Sequence, residues 1–103
     1  MGILNKTEII EALTLEIGEN IYIDIAKWHL YLSDAKLDNV LAEKLFPLLS
    51  SGSISSVQIN EILQEIKVKV GGGKKELPLN DLISDSVQSK LINILEDILR
   101  EMF

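Results

Sequence analysis

Apolar residues in this chain recur mostly at intervals of three and four. The first series is Ile10, Leu13, Ile17, Ile21, Ile25, Trp28 and Leu32, the spacing of one buried helical face. It predicts a continuous helix from Asn5 or Lys6 to Leu32, with Glu8 and Glu11 near the start, where the helix dipole favours acids. Residues 1–5 read as a loose leader. Gly18 lies inside the pattern and costs about 1 kcal/mol relative to Ala, so Gly18-Glu19-Asn20 is where one helix would divide into two. Ile21-Tyr22-Ile23-Asp24-Ile25 also alternates in the manner of a strand. That alternation fails after Ile25 while the three-four spacing continues to Leu32, and the helix is the reading adopted.

Ser33 or Asp34 can end this element and cap the next. A second helical series follows in Leu37, Val40, Leu41, Leu45, Leu48 and Leu49. Pro47 within it should kink the helix or end it near Phe46. Ser50-Ser51-Gly52-Ser53 is a loop. Ser55-Ser56-Val57-Gln58 has the form of a capping box and opens a third helix that buries Val57 or Ile59, then Ile62, Leu63 and Ile66. The period changes next. Ile66, Val68 and Val70 alternate with Lys67 and Lys69, Gly71-Gly72-Gly73 supplies a turn, and Lys75-Glu76-Leu77 returns as a second strand that Pro78 ends. Asp85-Ser86-Val87-Gln88 resembles another cap, before a last helix over about 86–102 with Val87, Leu91, Leu95, Ile98 and Met102 inward. The expected fold is mainly α (α+β): one domain over 6–103, with four helices and one small hairpin at about 66–78, between the third and last helices.

Composition supports a folded chain, with 47% hydrophobic and 25% charged residues in 103. Aromatics are only 5%, so aliphatic side chains must fill the core. With no Cys, disulfides, thiolate metal sites and Cys nucleophiles are excluded, and one His cannot build a multi-His metal site. No apolar run approaches the roughly 20 residues of a membrane span. The start of the chain has no signal pattern, and Lys6 stands where a myristoylation motif wants Ser or Thr. A cytoplasmic location is therefore expected. The net charge of −6 discourages general nucleic-acid binding. The charge is uneven: residues 66–80 carry four Lys against one Glu, a local +3, which leaves −9 on the rest.

Residues 20–33 hold the only Trp, the only His and both Tyr. On a helix they would be apolar round most of the circumference, with Asp24, Lys27 and Tyr31 as a polar wedge, so this helix should be central. Tyr22, Asp24 and His29 are the polar groups that chemistry would use, with His29 as a base. On a helix, however, Asp24 and His29 stand roughly 140° apart and do not meet. No Ser or Cys nucleophile lies in a recognisable elbow. His29 is accordingly read as a residue hydrogen-bonded in or beside the core, and Asp24–Lys27 as a weak surface pair.

The stretch Lys67, Lys69, Gly71, Gly72, Gly73, Lys74, Lys75 and Glu76 is the candidate partner surface. It could set backbone N–H groups beside ammonium groups, as anion sites do. It is neither a P-loop nor a dinucleotide fingerprint, because the required spacing and following helix are missing. The plainer account is a hairpin tip with solvated lysines. The order of helices and basic hairpin also suggests a winged-helix nucleic-acid binder. Its third helix carries Glu61 and Glu65 and no Lys or Arg, which phosphates would repel.

The run Tyr22-Ile23-Asp24-Ile25-Ala26-Lys27-Trp28-His29-Leu30-Tyr31-Leu32 with Asp34-Ala35, and Val70-Gly71-Gly72-Gly73-Lys74-Lys75-Glu76-Leu77-Pro78-Leu79, resemble a small uncharacterised family of cyanobacterial proteins, a domain of unknown function. The likeness runs over nearly the whole chain. It implies a photosynthetic bacterial host and an accessory role in the cytoplasm, and it carries over no catalytic or binding residues.

No catalytic, cofactor or metal constellation emerges from the residues. The expected function is a non-enzymatic protein–protein interaction or assembly module, of which a homodimer is one form. The protein partner is not specified, no membrane is expected as a partner, and nucleic acid is disfavoured. The alternatives are nucleic-acid binding through the basic hairpin, and small-molecule binding near Tyr22 and His29.

Overall fold

A computed structural model describes residues 5–25, 28–70 and 73–103. The first helix, α1 (Lys6–Asn20), starts at Asn5, whose side chain accepts from the Glu8 N–H at 2.8 Å. Asn5 is thus a cap rather than part of a loose leader, and it satisfies one of the helix's free N–H groups. Ile9, Ile10, Leu13 and Ile17 are buried along α1.

The continuous helix expected to Leu32 is not formed. After α1 the chain enters a hairpin, β1 (Tyr22–Ile25) paired antiparallel with β2 (Trp28–Tyr31) in the register Tyr22↔Tyr31, Ile23↔Leu30, Asp24↔His29, Ile25↔Trp28. The alternation in Ile21–Ile25 was therefore the decisive signal. The hairpin is tied to the body at both ends. The Leu32 N–H donates to the Ile21 carbonyl at 2.9 Å, and the Asp24 N–H to the Leu82 carbonyl at 2.9 Å. Ile21, Ile23 and Leu32 are fully buried. A two-stranded ribbon is marginal alone; this one is held by the side chains it sends inward.

A single helical turn, α2 (Leu32–Ala35), follows directly, and α3 spans Asp38–Ser51. Ser33 and Asp34 lie inside α2 and cap nothing; Tyr31 and Leu37, in the capping positions, make no side-chain cap bond. Nor does Pro47 end α3 near Phe46. Proline in a helix costs about 3 kcal/mol. Against this stand Leu41, Ala42 and Leu45 before it and Leu48 and Leu49 after it, all buried, and each large aliphatic chain buried contributes roughly 1.5–3 kcal/mol. Val40, expected inward, is exposed.

Of the expected capping box the Ser55 half forms, its Oγ accepting from the Gln58 N–H, and it opens α4 (Ser56–Glu65). Ile59 and Leu63 are its buried residues and Val57 is exposed, which settles that choice. The expected second hairpin follows as β3 (Lys67–Val70) and β4 (Lys75–Pro78), in the register Val68↔Leu77 and Lys69↔Glu76. Gly73 adopts φ +84°, a conformation that favours glycine. Gly71 and Gly72 lie outside the described residues. A 3₁₀ turn, Leu79–Asp81, leads to α5 (Asp85–Met102), which Ser84 caps rather than Asp85. Val87, Leu91, Leu95 and Ile98 are buried as expected, while Met102 is half-buried. The fold class is the expected mainly α one, with two hairpins in place of one. The buried residues form one hydrophobic cluster, to which all five α-helices contribute and which Leu79 of the 3₁₀ turn joins.

Gly18 stays helical and does not divide α1. A Cβ at this position would lie 2.8 Å from Asp38 Oδ2, 3.0 Å from Ser33 Cβ and 3.2 Å from Asp38 Cβ. The missing side chain is what lets α2 and the start of α3 sit directly on α1. Gly18→Ala should gain about 1 kcal/mol of helix propensity and lose about 1–3 kcal/mol to overpacking. The expected outcome in urea unfolding is a net loss of stability, part of which Ser33→Gly restores in the double variant. A Gly18→Ala protein more stable than the parent would show that the contact gives way freely.

Candidate functional site

Two surfaces carry the polar residues singled out from the sequence, and each is one face of a hairpin. Residues directly opposite in an antiparallel pair share a face. The register of β1–β2 therefore sets Tyr22, Tyr31, Asp24 and His29 on one side and Ile23 and Leu30 on the other. Ile23 enters the core, and the polar four face outward.

On that outer face His29 Nδ1 lies 2.5 Å from Asp24 Oδ1. The Tyr22 ring meets the His29 ring edge-on at 4.6 Å between centroids and 66° between planes, and meets Tyr31 at 5.5 Å and 60°. The structure thus brings together the three residues Tyr22, Asp24 and His29, and adds Tyr31, which the helical reading had assigned to a polar wedge. It corrects two expectations. Of the two places expected for His29, in the core or beside it, the first is ruled out, since its side chain is 66% exposed and that of Asp24 46%. Asp24 and His29 do meet, because a strand register replaces the helical turn that would have kept them apart. Lys27, the expected partner of Asp24, lies outside the described residues.

A histidine oriented by a carboxylate is one part of a general-base site. The other parts, a nucleophile within reach and a cleft that excludes water, are not found beside it among the described residues. No cluster of three or more potential metal ligands occurs among them either. What the face offers is a polar dyad open to solvent beside two edge-packed tyrosines, of which Tyr31 is exposed and Tyr22 half-buried against the core.

The second surface is β3–β4. Lys67, Lys69 and Glu76 share its outer face and are exposed. Val68 and Leu77 form the inner face, with Val68 buried against the core. Lys74 and Lys75 are exposed beside Gly73. Among the described residues the ion pairs are Asp24–His29 and Asp97–Arg100, so none of these lysines is held in a direct ion pair, although Glu76 stands opposite Lys69 and Glu65 lines one groove with Lys67. Lysines also blunt a free sheet edge against unwanted strand pairing, a role compatible with contact to a partner. Nearby α4 presents Glu61 and Glu65 to solvent. A groove over it is lined by Leu48, Ile62, Gln58, Glu65, Lys67 and Pro78 among others. These carboxylates beside the hairpin oppose a phosphate backbone.

The two faces of β1–β2 should separate in a mutational test. Asp24→Ala and His29→Ala, taken through a double-mutant cycle, should show a coupling below about 1 kcal/mol, as solvent-exposed pairs do. Ile23→Ala on the opposite face should cost about 2–5 kcal/mol. Chemical denaturation of the four proteins reads both quantities, and a small loss for Ile23→Ala would contradict the strand register.

Comparison with known proteins places the chain. It is 39% identical over 93 residues to "Thylakoid-associated protein slr0729" of Synechocystis sp., an alignment covering 90% of this chain and 92% of the relative. No solved structure matches it. No helix of the described residues is long and apolar enough to cross a membrane. A family model described as "Protein of unknown function (DUF3181)" matches residues 10–98, a span that takes in both hairpins. The chain is a member of this family of unknown function, as its resemblance to a small cyanobacterial family implied.

Proposed function

We propose that this protein is a non-enzymatic interaction and assembly module of a photosynthetic bacterium, working at the cytoplasmic surface of the thylakoid and binding acidic protein surfaces through β3–β4. The observation that carries this reading is the separation of charge. Four exposed lysines stand on one small hairpin against the single carboxylate of Glu76, none of them in a direct ion pair among the described residues, while the rest of the chain is at −9. Complementary patches of this kind steer association and fix its register. The relative's description as thylakoid-associated supports the location. With no spanning helix among the described residues, attachment would be peripheral. The open dyad at Asp24 and His29, with no nucleophile beside it among the described residues, supports a binding role over a catalytic one.

The test is fractionation of a tagged chain in a cyanobacterial host. The protein should sediment with thylakoids and be released by salt of about 1 M, which shortens the screening length to about 3 Å. Lys67→Glu with Lys69→Glu should move it to the soluble fraction, and Asp24→Ala with His29→Ala should not. Protein-free vesicles of thylakoid lipids should fail to retain it. Sedimentation that ignores the hairpin charge, or a protein that is strictly monomeric and recovers nothing from lysate, would overturn the proposal.

A further inference from the structure

An apolar groove with an acidic rim runs between α1 and α5, away from both hairpins. Leu15, Ile94 and Met102 form part of its floor, and Glu16, Asp97 and Glu101 stand along it. Leu15 is 61% exposed, an unusual position for a leucine on the helix that otherwise carries the core. The groove continues along α5 past Asn93 and Lys90, with Glu16, Ile94 and Asp97 common to both stretches. Its deeper part encloses about 240 Å³. That is below the roughly 300–1,000 Å³ of small-molecule pockets, and suits a few side chains of a protein partner.

The chemistry of the groove asks for an element that is both apolar and basic. The chain contains one. The hairpin β3–β4 joins half-buried Val70, Leu77 and Pro78 to Lys67, Lys69, Lys74 and Lys75. We infer that the acidic surface bound by the hairpin is the α1–α5 groove of a second copy of this chain. The inference rests on the hairpin being the contact surface, as proposed above, and names its partner.

Charge also decides the mode of pairing. A two-fold dimer that set one groove against another would bring Glu16, Asp97 and Glu101 of both copies together. Asp97 is paired with Arg100, whereas Glu16 and Glu101 have no ion-pair partner among the described residues. Like charges set face to face in this way disfavour the arrangement. Hairpin into groove sets +3 against these carboxylates. That contact is heterologous: each copy uses one surface to give and a different one to receive, so copies can add head to tail.

Sedimentation velocity on the full chain tests this at about 0.15 M salt, where the screening length of about 8 Å mutes the net repulsion between copies but spares close pairs. The parent should gain mass with concentration beyond a dimer and lose it at about 1 M salt. Lys69→Glu with Lys75→Glu disables the hairpin, and Leu15→Asp disables the groove. Each variant alone should associate at least about tenfold more weakly. Mixed in equal amounts they should form a dimer and nothing larger, because one supplies the intact groove and the other the intact hairpin. Glu101→Lys is a second groove variant, to be used if Leu15→Asp disturbs the fold by circular dichroism. A parent that stays monomeric at all concentrations, or a mixture that stays monomeric, overturns self-pairing. If the parent is monomeric while hairpin reversal still releases the chain from thylakoids, self-pairing alone falls. If hairpin reversal has no effect in either experiment, the interaction reading falls with it.

Discussion

The chain must leave α1 at Ile21, form a hairpin, and return close enough for Ser33 to lie against Gly18. Everything after residue 20 depends on that return. The Leu32 N–H to Ile21 carbonyl bond closes the excursion, and both residues are fully buried. With no Cβ on Gly18, the backbone can then pass directly into α2 and α3 across the surface of α1. A side chain there would push the start of α3 outward and with it Leu41, Ala42 and Leu45, which share one core with Leu13 and Ile17. The cost of glycine in a helix, about 1 kcal/mol, is small beside the burial that the close approach permits.

The same region explains where the sequence misleads. Two strands joined by a two-residue connection place apolar residues at 21, 23 and 25 and again at 28, 30 and 32. Read with the middle residue of each strand's three omitted, the series becomes 21, 25, 28 and 32, which is the spacing of a helical face. The alternation does not fail after Ile25; it restarts in the opposite phase after residues 26–27. Once this stretch is taken as a helix, Asp24 and His29 fall on different sides, and the outer face of β1–β2 becomes invisible. Pro47 misled for a related reason. Local propensity is a weak prior when buried leucines lie on both sides of the break.

Other features could be read directly. The caps at Ser55 and the alternation of Lys67–Val70 before three glycines are local signals with one structural solution each, and both are found. The groove between α1 and α5 has no local signal. Leu15 and Ile94 are far apart in sequence, and each looks like an ordinary apolar residue beside a helical stripe. Only the packing angle of the two helices decides that they border an open groove instead of closing it.

The two hairpins, so similar in length, are attached in different ways, and the difference bears on function. The first sends Ile23 fully into the core and is hydrogen-bonded to Leu82 as well as across its base. The second commits Val68, is joined at its base by the Leu79 N–H to the Ile66 carbonyl, and leaves its lysines exposed and Val70, Leu77 and Pro78 only half-buried. Segments with few buried contacts sit at the low end of local stability, where binding elements are commonly drawn from. Charge reversal on β3–β4 therefore touches residues that the core does not use. The lysines there take part in no direct ion pair among the described residues, with Glu76 the one carboxylate on their hairpin. An acidic surface on a partner would add to what Glu76 supplies, so complex formation gains new attraction without breaking an ion pair seen in the free chain.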